Sequence, residues 1–214
     1  MKVEQVSQPY AKEYLSKLAK EGLIERVSWG WYWIPSSFED IWDFLAKDRN
    51  YKVIAAQSAA SFWNKDFIHR NVYRIKVRDK SYGKALEAFG KAKGWEIVTE
   101  PLEKETKYVK VGKLLVEDIS QTIVDCIQDW AFADAFAALY VNRKRIDWDE
   151  LLQESYWKRV SGTDIRARQV LEYAGRLFNQ FLNQQFFRTP KPRLEDEFLR
   201  KEIEESVEKV VQVA

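Results

Sequence analysis

EGLIERVSWGWYWIP, Glu21 to Pro35, sets Trp29, Trp31 and Trp33 around one glycine, Gly30. Tryptophan is costly to leave in water and turns are wet, so these rings need cover. The runs LIERV and WYWIP flank Ser28-Trp29-Gly30, the pattern of a tight β-hairpin in which Gly30 supplies a positive φ. With Trp29-Gly30 as a two-residue loop, Ser28 stands opposite Trp31 and Arg26 opposite Trp33. Leu23, Glu25, Val27, Tyr32 and Ile34 then share one face, and Ile24, Arg26, Trp31 and Trp33 share the other. Tyr32 and Ile34 are expected against the preceding helix at Leu15 and Leu18. Trp31 and Trp33 form a second face with Arg26, whose guanidinium can lie over an indole. Their cover is left to the C-terminal helix, the second domain or a partner protein.

Before the hairpin, residues 9–20 predict a helix. Pro9 suits its first turn, Gly22 its C-cap, and Ala11, Leu15 and Leu18 one apolar face. After it, Pro35-Ser36-Ser37 breaks the chain and a serine-capped helix follows at about 38–47. Residues 51–65 read as a short buried strand entering a helix through Ser58, and residues 71–78 as an alternating strand. A helix over 81–93, a strand over 95–100 and a hairpin over 106–117 turning near Gly112 come next. From residue 118 the pattern is helical: 119–129, opened by Asp118 with Gln121 as a capping box, then 131–142 and 147–155. A long helix runs to about 184 on the stripe Val170, Ala174, Leu177 and Phe181. RTPKP (188–192) is a linker. A final helix, 193–213, carries Leu199, Ile203, Val207 and Val210 on one face.

Composition narrows the function classes. The chain has 214 residues, 46% hydrophobic and 32% charged, with 8 glycines and 5 prolines, which suits a globular domain with a real core. The net charge of +2 places any nucleic-acid affinity in local patches. A lone cysteine, Cys126, excludes an internal disulfide framework and fits a reducing compartment. Neither an apolar leader nor an apolar run of about 20 residues is visible, so a cytoplasmic chain with no membrane partner is expected.

His69 and Cys126 are the only residues of their kinds, so a zinc cage or a catalytic triad has little to draw on. His69 reads as structural or merely exposed, and Cys126, within an apolar helical run, as core. No P-loop or GxGxxG is present, and no metal or cofactor is expected. One enzymatic pattern survives: Glu105 and Lys107, with Asp79 upstream, as a metal-dependent nuclease site against the plain reading of a solvated strand end. Arg74, Lys76 and Arg78 alternate with Tyr73, Ile75 and Val77, which sets three cations on one strand face. With Arg70, Lys80 and Lys84 nearby, residues 70–84 carry +5. That is either a surface for phosphates or an acidic partner, or the wet face of a half-buried sheet.

The helix, the glycine-ended turn and the hairpin closing in Pro35 are together the back half of a winged helix-turn-helix. Leu15, Leu18, Gly22, Leu23, Ile24, Arg26, Val27, Gly30 and Tyr32 fit the helix-then-wing phrase of prokaryotic regulators. YKVIAAQSAASFW resembles the buried strand and Ser-Ala helix of AbiEi-type antitoxins, the winged-helix partners in type IV toxin–antitoxin systems. KYVKVGKLLVEDISQTIVDCIQDW resembles that family's hairpin and following helix, with Thr122 and Asp125 in the matching places. RIDWDELLQES and IRARQVLEYAGRL resemble its closing helices, so the likeness covers about residues 5–182.

The resemblance implies a non-enzymatic, double-stranded-DNA-binding autoregulator that counters a separately encoded nucleotidyltransferase-like toxin. It implies that Gln8, Tyr10, Lys12, Glu13, Lys17, Ser28 and Trp29 face DNA. Arg70, Arg74, Lys76, Arg78 and Lys80 would serve DNA or the partner, and Asp125 a structural hydrogen bond. The expected fold class is α+β: a partial winged helix-turn-helix (1–36), a mixed α/β domain with a helical C-terminal half (37–187), and a linker with an amphipathic helix (188–214). That last helix can pack on the chain's own body or make a homodimer. The alternative is a non-catalytic interaction module anchored by Trp31 and Trp33, since aromatic residues dominate interface hot spots. Residues 1–35 carry a net charge of only +1, which favours that alternative.

Overall fold

A computed structural model describes residues 11–28, 30–33, 40–48, 50, 52–64 and 72–157, and residues 166–167, 170–171, 174, 201 and 205 beyond them. The fold is mixed α and β. Its described elements are α1 (Ala11–Lys20), β1 (Glu25–Ser28), β2 (Trp31–Trp33), α2 (Ile41–Lys47), β3 (Lys52–Ile54), α3 (Ala56–Trp63) and β4 (Val72–Val77). They continue with α4 (Lys80–Ala92), β5 (Glu96–Pro101), β6 (Tyr108–Val111), β7 (Leu114–Glu117), α5 (Ile119–Gln128), α6 (Phe132–Asn142) and α7 (Trp148–Trp157). Strands β1 and β2 form a ribbon of their own. The other five order as β5-β4-β3-β7-β6, with β4 parallel to β5 and β3 parallel to β7.

The chain divides into two compact units. One takes residues 1–53, 71–103 and 112–114; the other takes 54–70, 104–111 and 115–214. The boundary expected at residue 36 therefore falls inside the first unit, because the hairpin shares its core with α2 and α4.

In the first unit, α1 ends as its sequence requires. Gly22, at φ +73°, carries its N–H to Ala19 O (3.2 Å), and Leu23 N–H reaches Leu18 O (3.0 Å), which closes the last turn. Leu15 is buried with Ile24 and Tyr32, and Leu18 and Ala19 pack on them. The hairpin turns at Gly30 (φ +79°) with Ser28 opposite Trp31. Upstream the register departs from expectation: a bulge at Val27 pairs Arg26 with Tyr32 and Glu25 with Trp33. One extra residue flips every side chain before it to the other face. Ile24 therefore joins Tyr32 and Leu15 in the core, Leu23 is 60% exposed, and the expected Arg26–Trp33 pairing gives way to Arg26 opposite Tyr32.

Helix α2 is capped by Asp40, whose Oδ1 accepts from Asp43 N–H at 2.8 Å, and not by a serine. Helix α4 crosses between the parallel strands β4 and β5. Its Gly83 and Gly90 let the backbone approach: a Cβ on Gly83 would lie 2.7 Å from Thr99 Oγ1, and one on Gly90 2.7 Å from Ile97.

The second unit is built on helices. Ile123, Ile127, Phe132, Phe136, Leu139 and Leu151 are buried in one cluster, joined by Val170, Leu171 and Ala174 from the expected long helix. Asp118 caps α5 through Gln121 N–H (2.8 Å), but the capping box is half closed, since Gln121 Nε2 donates instead to Asp125 Oδ1 (3.0 Å). Helix α3 opens at Ala56, held at φ +44° with its N–H on Glu117 Oε2 at 2.8 Å. Among the described residues no helix is long and apolar enough to cross a membrane.

Candidate functional site

Helix α1 presents two different faces. Leu15 is buried, while Glu13, Tyr14, Lys17 and Lys20 are exposed, Tyr14 by 62%. Lys17 reaches Glu21 at 3.9 Å, a loose pair between solvated side chains. Of the residues expected at DNA, Glu13 and Lys17 lie on this open face. Lys12 and Ser28 contribute backbone to α1 and β1, and their side chains, with Gln8, Tyr10 and Trp29, lie outside the described residues. So do Arg70, His69, Ile34, the 188–192 linker, Leu177, Phe181 and the Leu199–Val210 stripe.

The cationic strand is less open than its alternation suggests. Lys76 is only 6% exposed and pairs in register with Glu100, and Arg74 Nη1 donates to the Glu100 carboxylate. Parallel β5 thus sets an acid beside two of the three cations, and Lys76 is covered rather than on a wet sheet face. Arg78, just past the strand, and Lys80 and Lys84 on α4 are exposed.

Of the residues singled out for metal-dependent cleavage, Glu105 is exposed, and Asp79 and Lys107 are otherwise engaged. Asp79 Oδ1 caps α4, accepting from Ser81 N–H and Ser81 Oγ–H, both at 2.8 Å. Lys107 donates to Glu150 (2.9 Å) and to Glu154 of α7, and these bonds push its pKa up. Among the described residues no group of three or more His, Cys, Asp or Glu is arranged to hold a metal ion. Cys126 is fully buried, and burial together with the Asp134 and Asp125 carboxylates pushes its thiol well above the usual range. That leaves it a core residue rather than a nucleophile. Thr122 Oγ1 donates to Glu117 O at 3.3 Å, and Asp125 accepts from Gln121, so both serve local structure.

The first unit also holds a site with no motif to announce it. Trp31 packs on Tyr82 with centroids 5.3 Å apart, Trp33 on Phe44 (4.6 Å) and Phe89 (5.0 Å), and Phe44 stacks on Phe89 (4.6 Å). These rings wall a recess of about 40 Å³ with Asp48 and Asn50 among its lining. Asp48 Oδ1 accepts from Asn50 N–H (3.1 Å) and Asn50 Nδ2 (2.7 Å). Its Oδ2 accepts from Lys52 Nζ (3.2 Å) and from the Tyr82 hydroxyl. Lys52 Nζ also donates to Asp48 O (2.8 Å) and Asn50 O (3.1 Å).

Burial lowers the Lys52 pKa, and the Asp48 carboxylate partly offsets that. Burial and the same carboxylate hold the Tyr82 hydroxyl far above its usual range, so it keeps its proton at neutral pH. The recess can bind, and its polar groups can orient what is bound. The available signal was the spacing Asp48-x-Asn50-x-Lys52, which on its own reads as an ordinary polar loop. Compared with known proteins, the chain matches no family model and no curated protein.

Proposed function

We propose that the chain is a DNA-binding regulator that uses α1 and the β1–β2 hairpin as helix and wing, and that it is the antitoxin of a toxin–antitoxin pair. One observation carries this reading. Helix α1 is anchored by Leu15 on the hairpin at Ile24 and Tyr32, while Glu13, Tyr14, Lys17 and Lys20 stay exposed. A polar helix face held rigidly beside a hairpin is what a major-groove reader needs. The likeness to AbiEi-type antitoxins adds the partner, a nucleotidyltransferase-like toxin encoded separately, and the target, the chain's own promoter. The rival reading, docking through Trp31 and Trp33, draws less support, because Trp31 is 6% exposed and both indoles pack on rings of α2 and α4.

The test is fluorescence anisotropy with a duplex from upstream of the chain's own reading frame and a shuffled duplex of equal length. Wild type should bind at about 50 mM salt and weaken steeply with added salt. Lys17→Glu with Lys20→Glu should weaken binding to both duplexes and lower the salt slope by about 2. Folded protein that binds neither duplex, or a double variant that binds as wild type does, refutes the reading. Co-purification with the product of a neighbouring toxin-like reading frame tests the partner separately.

A further inference from the structure

We infer that the aromatic recess beside Asn50 is a binding site for a small molecule bearing a neutral, planar carboxamide or urea group. The inference is independent of DNA binding. Among the described residues at the recess the charges are already matched: Asp48 is paired with Lys52, which leaves no counter-ion there for a charged guest. Asp48 is also saturated, since a carboxylate offers about four lone-pair sites. Four donors take them: Asn50 N–H, Asn50 Nδ2, Lys52 Nζ and the Tyr82 hydroxyl. Asn50 is not saturated. Its Nδ2 gives one hydrogen to Asp48, and among the described residues its Oδ1 accepts none. One N–H and one carbonyl oxygen of a primary amide are left without a partner among the described residues, and a second amide offers the matching acceptor and donor.

Size and walls agree with that group. A water-sized atom needs about 10–15 Å³ of such space, so 40 Å³ holds about three, with the rest of a guest projecting outward. The walls are the rings of Trp31, Trp33, Phe44 and Tyr82, which suit a flat group. Asp48 holds the Asn50 amide through the Nδ2 bond of 2.7 Å, so its position is fixed before a guest arrives.

Acetate, acetamide and acetamidinium share one planar four-atom frame and differ in charge, which makes them the probes. In a ¹⁵N-resolved NMR titration of the full chain, acetamide should give saturable shifts at the Trp31 and Trp33 indole N–H groups and the Asn50 side-chain amide. The dissociation constant should be on the order of 10 mM for so small a probe. Acetate and acetamidinium should bind at least about tenfold more weakly. Asn50→Leu, which removes the amide, and Ala85→Leu, which fills the recess, should each weaken acetamide about tenfold or more. Acetamide that does not saturate below roughly 100 mM, an ion that binds as well as acetamide, or unchanged binding in folded Asn50→Leu overturns the inference. If either variant fails to fold, the three probes on the wild-type chain decide.

Discussion

Replacing Trp130 by glycine and, separately, by alanine isolates the cost of a backbone conformation that the second unit carries in an unusual residue. Helix α5 ends with the same pair of bonds as α1: Trp130 N–H to Ile127 O at 3.3 Å and Ala131 N–H to Cys126 O at 2.8 Å. In α1 the left-handed position is Gly22; in α5 it is Trp130, at φ +59°. An L-residue there costs about 1–2 kcal/mol, and glycine returns about 0.5–1 kcal/mol of that through its freer unfolded chain. Glycine should therefore exceed alanine in stability by roughly 0.5–1 kcal/mol.

Both variants also lose the indole. It stands edge-on to Phe132 at 5.6 Å and lies under the Arg166 guanidinium at 4.9 Å. With the ring 46% exposed, these contacts contribute about 1–2 kcal/mol together. Trp130→Gly should thus fall within about 1 kcal/mol of wild type, since strain relief offsets lost contacts. Trp130→Ala should lose about 1–2 kcal/mol, since its strain remains. Urea unfolding followed by far-UV circular dichroism reads both, with equal m-values showing that the unfolded states are comparable. An alanine variant as stable as the glycine variant would refute the argument.

Gly90→Ala should lower stability by roughly 1 kcal/mol although alanine is the better helix former. The propensity gain of about 1 kcal/mol is outweighed by an overpacking cost of about 1–3 kcal/mol. The new Cβ would sit 2.7 Å from two atoms of Ile97 and 3.0 Å from the Trp95 carbonyl, which is backbone and cannot swing away; thermal unfolding checks it. Tyr82 gives a pH signature. Its native pKa is raised above the ordinary 10.0, so the unfolded chain ionises it first. Below pH 10 both states hold the proton and stability does not respond to it; above pH 10 stability falls by about 1.4 kcal/mol per pH unit. Tyr82→Phe should lack that decline when urea midpoints are compared from pH 9 to 11, roughly either side of the ordinary tyrosine value.

Periodicity was enough to find most elements. Strand β4 and helices α1, α3, α4, α5 and α6 lie within a residue or two of where apolar spacing, Gly22 and Asp118 put them. The misses are all long-range or single-residue effects. A bulge at Val27 leaves composition untouched yet decides whether Ile24 or Leu23 is buried. Nothing within residues 21–35 says that Trp31 will meet Tyr82, or Trp33 meet Phe89, because those rings arrive on α4. The alternation around Lys76 is the same whether its face is wet or covered; Glu100 on the neighbouring strand settles that. Asp48, Asn50 and Lys52 look like a solvated loop until Tyr82 closes over them.

The division of the first unit into three separate stretches of chain bears on the order in which the protein is made. Residues 1–53 leave the ribosome long before residues 71–103, yet both belong to one unit. In the interval the hairpin has Leu15 beside Tyr32, but Trp31 lacks Tyr82 and Trp33 lacks Phe89. Late closure of distant contacts is slow and leaves apolar surface open to wrong partners. The nascent helix and hairpin therefore wait, with Trp31 uncovered and Trp33 met only by Phe44 of α2, for a helix not yet synthesised. A fragment ending near residue 53 would reproduce that waiting state permanently.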